Sequence, residues 1–451
     1  MRFASPILLL MLAGQVLAAE PPLDLIQRAY SPYMAASDPL AFPMKVRSIA
    51  TDPYTFWRGS KDLFFNWCRT NTSDWLADKP AFLPNHGDLH LGNIGTYVPS
   101  GQWGRLAFGM VDFDDSAVLP FQLELLQGLI TLELTARQNK VALNEPARAK
   151  LVHSLLDAYR ISVNSQRNAT RLLLDAEDPT LTRLLKRMNR PYQQELADYT
   201  LDNHFRPIIR SEKGKLKEVL RPAMSRADEF AAGIAAAIAN EPDLRPLFRF
   251  TDNKSIRSAI RDAVQRTRLG SSGSQGLRKY FVLMQKPLKG IDHDIILYLK
   301  QEIPSAAERQ AVIEPVKISP GRRAKEDMDR LTDPPPYMNS WCEIGPESYW
   351  VTVKEPWTNE LDPDEITTID ELLHAAQIWG TVAGATHREQ GRFEIILPRL
   401  TPALATQLQE RSAAFIAQLS SDFAEFGSNP RVDEYLRQVN QFLNSSSLTQ
   451  P

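Results

Sequence analysis

The residues best suited to chemistry lie at 86–93, where the chain reads HGDLHLGN, and at 111–115, where it reads VDFDD. Phosphoryl transfer asks little covalent chemistry of a protein. It needs a carboxylate that orients an attacking hydroxyl and accepts its proton, and oxygen ligands that hold magnesium against the phosphates. Asp88 fits the first role. Asn93, five positions on, and Asp112 fit the second, because a hard cation prefers carboxylate and amide oxygens. Gly87 and Gly92 let the loop turn tightly. The same segment has a second reading. His86, Asp88 and His90 form H-x-D-x-H, and with Asp112 and Asp114 they would suit a metal-dependent hydrolase.

Further along, the stretch GSSGSQG at 270–276 would offer backbone N–H groups to phosphates through Gly270, Ser271, Ser272, Gly273 and Gly276. It leads into KYFVLMQ (279–285) and, after a turn, DIILYLKQE (294–302), which reads as a two-stranded hairpin. Lys300, near the end of its second strand, would reach phosphate oxygens as a point charge. A helix over Arg322–Leu331 would supply an acid, Glu326, to pair with that lysine, with Glu302 as a competitor. The hydrolase reading leaves Asn93, the glycine-rich loop and Lys300 unused.

The segments HGDLHLGN and VDFDD resemble the catalytic loop and metal-binding segment of aminoglycoside and choline phosphotransferases, members of the kinase-like superfamily. The Asp-to-Asn spacing is also that of protein kinases. The resemblance implies a two-lobed α+β fold, a mostly helical large lobe with a small β-rich lobe, binding ATP or a related nucleotide with magnesium. In an ordinary kinase the glycine loop and its lysine precede the catalytic loop; here they follow it. YWVTVKEP (349–356) resembles the strand leading to the interlobe hinge, and GTVAGATHREQG (380–391) the helix that precedes the catalytic loop. The order implied is a circular permutation opened just before the catalytic loop. The layout also resembles a bacterial domain-of-unknown-function family, numbered 2252, over about residues 40–392. It shares FWRG (56–59), GDLHLGN, VDFDD, GSSGSQG and KQE (300–302), with Val111 where the family often has Asn, Asp115 where it often has Glu, and Gln301 inside the strand end.

Supporting roles fall to nearby side chains. Arg58 would orient an acid or bind a phosphate, or form a structural ion pair. His90 would buttress the loop by hydrogen bonding. Asp114 and Asp115 would assist a second metal or hold loop N–H groups. Glu124 would face an arginine, and His387 would cap a helix end.

These groups need two lobes to position them, and 451 residues suffice for two. Hydrophobic residues are 43% and charged residues 24%, the balance of a soluble globular protein. A formal net charge of −2 gives no global pull toward nucleic acid or anionic lipid, so neither is an expected partner. Residues 1–18, with Arg2 followed by an apolar run and small residues at Val16 and Ala18, read as a cleaved signal peptide. That sends the protein to the periplasm or outside the cell, with no membrane span after processing. Residues 19–268 form the expected helical lobe bearing the catalytic loop. Residues 269–358 form the β-rich nucleotide lobe, and 359–451 the C-terminal helices completing the helical lobe. Asp362, Pro363 and Glu365 read as the start of a helix, and Thr401 and Pro402 as the start of another. Cys68 and Cys342 would form one bridge or stay as two buried thiols. The function expected is an exported phosphotransferase or nucleotidyltransferase acting on a hydroxyl- or amine-bearing acceptor. The other readings are the hydrolase and a catalytically inactive kinase-like binding protein.

Overall fold

A computed structural model describes residues 20–100, 102, 105–186, 190–210, 215–269 and 273–444. The expected signal peptide and loop positions Gly270, Ser271 and Ser272 lie outside the described residues. The chain is a mixed α+β protein with two main hydrophobic cores, one helical and one built on a sheet. Among the described residues no helix is long and apolar enough to cross a membrane.

The helical core gathers α1 (Pro22–Tyr30), α2 (Ala41–Ile49), α3 (Pro53–Gly59), α4 (Lys61–Asn71), α5 (Phe121–Gln138) and α6 (Glu145–Asn164). In α5 every residue from Phe121 to Ala136 is buried, including the polar Gln122, Glu124, Gln127 and Glu133. The C-terminal helices α9 (Ile369–Glu389), α10 (Pro402–Ser428) and α11 (Pro430–Leu443) pack back onto this group, so the two ends of the chain share one core. Helix α9 meets α6 backbone to backbone. A Cβ at Gly380 would stand 2.4 Å from Leu155 O, and one at Gly384 2.6 Å from Tyr159 O. Asp362 and Pro363 open only a short 3-10 turn. The helix itself starts at Ile369, because Thr368 and Glu371 form the complete capping box.

The second core belongs to a seven-stranded antiparallel sheet. Its strands are β5 (Ile208–Arg210), β6 (Leu216–Pro222), β7 (Ile260–Arg268), β8 (Lys279–Met284), β9 (Ile295–Glu302), β10 (Ser340–Ile344) and β11 (Glu347–Val353). The spatial order is β10-β11-β9-β8-β7-β6-β5. One face packs on α7 (Ala227–Asn240); the other carries Phe281, Leu283 and Ile296 and opens on a cleft. The hairpin expected at 279–302 is β8–β9. Strands β5 to β7 and helix α7 fall inside the region read from sequence as helical, 121–268. In β6 and β7 charged residues (Lys217, Glu218, Arg266, Arg268) interrupt the apolar pattern that would mark a strand. Helix α8 (Pro320–Leu331) crosses the edge formed by β9, β11 and β10.

Four short strands hold the loops 86–93 and 111–116. Strand β1 (Phe82–Asn85) pairs antiparallel with β4 (Ala117–Pro120), and β2 (Ile94–Tyr97) with β3 (Ala107–Met110). The nested pairing brings loops 86–93 and 111–116 to the same end of the two ladders. Cys68 lies in the helical core and Cys342 in the sheet core, both as free buried thiols.

Candidate active site

The loop 86–93 is held from several sides. Trp379 of α9 donates from Nε1 to Leu89 O at 3.0 Å. Gly87 has φ +77°, and a Cβ there would stand 1.9 Å from Asp115 O. Only glycine lets the two loops touch at that point. His86 spends its ring on backbone: Nε2 donates to Val111 O at 2.8 Å and Nδ1 accepts from Asp88 N at 3.3 Å. Its own N–H donates to Glu124 Oε2, which lies 3.5 Å from His387 Nε2. Glu124 therefore faces histidine rather than arginine. His387, fully buried and 2.7 Å from Tyr159 Oη, is a core residue rather than an exposed cap.

Asn93 donates from Nδ2 to Asp88 O at 2.8 Å. A carbonyl only accepts, so the amide nitrogen is committed there and Oδ1 turns the other way. Val111 N donates to Asn93 O at 2.9 Å, which fixes the second loop against the first. Asp112 follows with φ +70°, a left-handed conformation that few residues other than glycine adopt and that asparagine and aspartate tolerate best.

Lys300 reaches this point from β9 and forms ion pairs with both Asp112 and Asp114. Lys300 is buried, whereas the Asp112 side chain is 46% exposed to the cleft. The surrounding protein would raise the Asp112 carboxyl, but the charge and hydrogen bond of Lys300 outweigh this and hold it well below the usual carboxylate range. Asp114 is pushed up to about 6, by burial first and then by the charge of Asp112. Asp115 turns away from the pair. Its Oδ1 accepts from Ala306 N at 2.7 Å, the backbone-holding role expected for one of the two acids.

Asp88 has a partner that the sequence did not suggest. Lys61, at the start of α4, places Nζ 2.8 Å from Asp88 Oδ1 and 3.1 Å from the centroid of the Trp57 ring. Burial pushes Asp88 up to about 7 against the opposing pull of Lys61, and pushes Lys61 down to about 8. The only signal for Lys61 is its i,i+4 spacing from Trp57 beside FWRG. Arg58 donates from Nε to His90 Nε2 at 3.2 Å, so the ring proton of His90 sits on Nδ1. Burial, then Arg58, drives the His90 imidazole well below its ordinary value, and it is a neutral buttress.

Glu326 is not the partner of Lys300. It pairs with Arg322 at 2.7 Å on the outer side of α8. The buried stripe of that helix is Arg323, Ala324, Asp327, Met328 and Leu331, and Glu326 falls out of phase with it. The acid beside the lysine is Glu302, buried two residues along the same strand and pushed well above its usual value by burial and then by Asp114. From α8 it is Arg323 that reaches the site, donating to Asp114 O at 2.6 Å, Ile303 O at 3.0 Å and Ser116 Oγ at 3.1 Å.

Two adjoining cavities meet at Asp112, Arg268, Ser274 and Glu360. The smaller, about 60 Å³, lies beside Asp88, Asn93, Arg58 and Arg309. The larger, about 330 Å³, runs along the sheet past Lys279, Lys300, Tyr298 and Trp350 to the segment 354–360. Of the glycine-rich loop, Ser274 lines both and Gly273 lines the smaller. Gly273 O accepts from Lys45, and Gly276 (φ +89°) packs under Ala41 O. A more voluminous hollow, about 680 Å³, opens between α6 and α9, but none of the candidate residues lines it.

The family model described as "Uncharacterized protein conserved in bacteria (DUF2252)" matches residues 37–429. The chain belongs to that family. No curated protein and no solved structure matches it. The span shared with the DUF2252 family takes in Arg58, Lys61, Asp88, Asn93, Asp112 and Lys300 and stops short of α1 and α11.

Proposed function

We propose that the protein is a phosphotransferase using a magnesium–nucleotide, with a two-lobed kinase-like fold whose order is circularly permuted. The observation that carries this reading is the meeting of three groups at one cleft. Asn93 is tied to the Asp88 carbonyl, Asp112 follows in a left-handed turn, and Lys300 arrives from a strand behind a glycine-rich loop. On this reading the glycine loop, strand lysine, helix α8, two strands and connecting segment 354–360 would stand for the successive parts of a kinase small lobe.

The donor would lie in the larger cavity with its terminal phosphate toward Asp88. Asn93 and Asp112 would hold magnesium, whose charge neutralises the phosphate oxygens. Lys300 would bind the phosphates as a point charge. Asp88 orients the acceptor hydroxyl or amine and takes its proton while the new bond to phosphorus forms. The bond from phosphorus to the bridging oxygen breaks, and its electron pair leaves with the nucleoside diphosphate. A carboxyl near 7 suits a base working at neutral pH. Export through residues 1–18 belongs to the same proposal, as does nucleotidyl transfer when the α-phosphate is the one attacked.

The hydrolase reading is not favoured, because both ring nitrogens of His86 are bound to backbone. Isothermal titration of the purified protein with ATP tests the proposal. Saturable binding that requires magnesium is expected. A wild-type protein that takes up no heat with ATP, ADP or GTP, with or without the metal, would overturn it.

A further inference from the structure

Lys45 of α2 is fully buried, and its ammonium donates to Gly273 O in the glycine-rich loop. Nζ also stands 3.8 Å from the centroid of the Tyr30 ring. Burial pushes the group down to about 7, against the pull of Asp62 first and then of Asp115 and Asp88. Arg309 pushes the same way as burial. An ammonium taken out of water is a costly means of satisfying one carbonyl, and an apolar side chain of similar length is often as good for stability. What the lysine adds is direction. Gly273 lines the smaller cavity, whereas Lys45 lines neither. The Gly273 carbonyl therefore points into the protein, and its negative end is kept off the wall of the cleft.

The same helix holds the loop at two more places. Arg47 donates from Nη1 to Leu269 O at 3.3 Å. Ala41 O lies against Gly276, whose φ is +89°; a Cβ there would stand 2.5 Å from that oxygen. The segment before α2 joins in through Gln301, the neighbour of Lys300. Its Nε2 donates to Tyr33 O at 3.0 Å and its Oε1 accepts from Arg278 N at 2.8 Å. The loop thus takes its position from a helix 222 to 228 positions upstream.

We propose that α2 is a positioning element of the donor site: Lys45 and Arg47 hold the glycine-rich loop with the Gly273 carbonyl turned away from the donor's phosphates, and so set the affinity of a site that neither residue lines. The proposal rests on reading the cleft as the donor site, and it assigns what keeps that site in shape.

The test uses the full chain. Calorimetry with ATP and magnesium reads affinity, and amide hydrogen exchange reads the order of residues 273–276, with β8 as the internal reference. Lys45→Met keeps the stem and removes the ammonium. It is expected to weaken ATP about tenfold, as for one lost charge-assisted hydrogen bond, and to speed exchange at 273–276. Exchange in β8 should be unchanged and the urea midpoint no lower than in the wild type. Arg47→Ala, at a half-buried position, serves if Lys45→Met does not fold. It should weaken ATP severalfold and speed exchange in the loop, and Arg47→Lys should recover most of both. Wild-type ATP affinity in the folded variant overturns the proposal and leaves the phosphotransferase reading standing. So does weaker binding without faster exchange at 273–276. A parallel loss of affinity, stability and β8 protection marks a merely structural contact and overturns it too. A wild type that binds no ATP removes the phosphotransferase reading and the proposal with it.

Discussion

Lys300 stands between the carboxylates of Asp112 and Asp114, 188 and 186 positions earlier in the chain. A strand of the sheet thereby touches the hairpin loop of the helical part, and the two cavities become one cleft. The pair has separable roles in the proposed reaction. Asp112→Ala is expected to remove the magnesium-dependent part of ATP binding. Lys300→Met is expected to weaken ATP about tenfold or more, with magnesium still required. Calorimetry with and without EDTA distinguishes the two. Identical losses in both variants, each insensitive to magnesium, would count against the assignment.

The Asp88–Lys61 pair predicts an unusual dependence of stability on pH. Asp88 titrates near 7 in the folded protein and near about 3.9 when unfolded, so its favourable contribution is full at low pH and disappears as pH rises through 7. Lys61 titrates near 8 when folded and near about 10.4 when unfolded, so its deficit is regained only above 8. The pair costs most between about pH 7 and 8. The double variant Asp88→Asn/Lys61→Met is therefore expected to gain about 1–4 kcal/mol over the wild type at pH 7.5, and less at pH 5. Urea unfolding at the two pH values measures it. A gain that does not vary with pH contradicts the assignment.

Much of this site is readable in the chain because its groups are local. Asp88, Asn93 and Asp112 sit within one stretch of loop and hairpin, and their spacing alone suggests that they converge. Lys300 is legible through the apolar strand that carries it. Groups that act across the fold leave no such trace. Glu326 is an acid on the right helix, but phase on a 3.6-residue period decides which side chain faces inward, and Arg323 holds that place. Lys61 meets Asp88 from a helix 27 positions upstream, and its i,i+4 spacing from Trp57 is the one trace its neighbourhood leaves of a buried charge. Strands β6 and β7 carry their charges toward the cleft, which hides the alternation that marks a strand.

Gly87 is required by contact as well as by conformation. Its φ of +77° is unfavourable for other residues, and a methyl group would overlap Asp115 O. Gly87→Ala is expected to lose at least about 1–3 kcal/mol of stability and to separate the two loops. Urea midpoints give the first effect, and loss of magnesium-dependent ATP binding the second. A folded Gly87→Ala protein with wild-type ATP affinity would mean that the loops need not touch.

Cys68 and Cys342 lie in different cores, and burial pushes the first thiol well above its ordinary value and the second to about 12. Thiolates are the reactive form, so both should ignore Ellman's reagent in the native protein and react once it is unfolded. The expected count is none before urea and two after. A native protein that releases no thiol even when unfolded would reveal a bridge.

Arg309 ties the N-terminal helices to the site. It donates to Asp62 Oδ2 at 2.6 Å and Oδ1 at 3.0 Å, lies 3.7 Å from Asp115 Oδ1, and stands over the Tyr30 ring. Asp62 is fully buried and also accepts from Gln310 at 2.8 Å. Removing the carboxylate leaves a guanidinium with little water and one distant acid, so Asp62→Ala is expected to cost about 3–5 kcal/mol. Arg309 lines the smaller cavity, and its release should also free the Asp115 loop and lower ATP affinity. Asp62→Asn keeps an acceptor for Gln310 and removes only the charge. If the pair matters electrostatically, Asp62→Asn will lose most of the stability that Asp62→Ala loses. If Asp62→Asn is as stable as the wild type, the acceptor geometry around Gln310 is what holds the helices, and Arg309 contributes through packing on Tyr30.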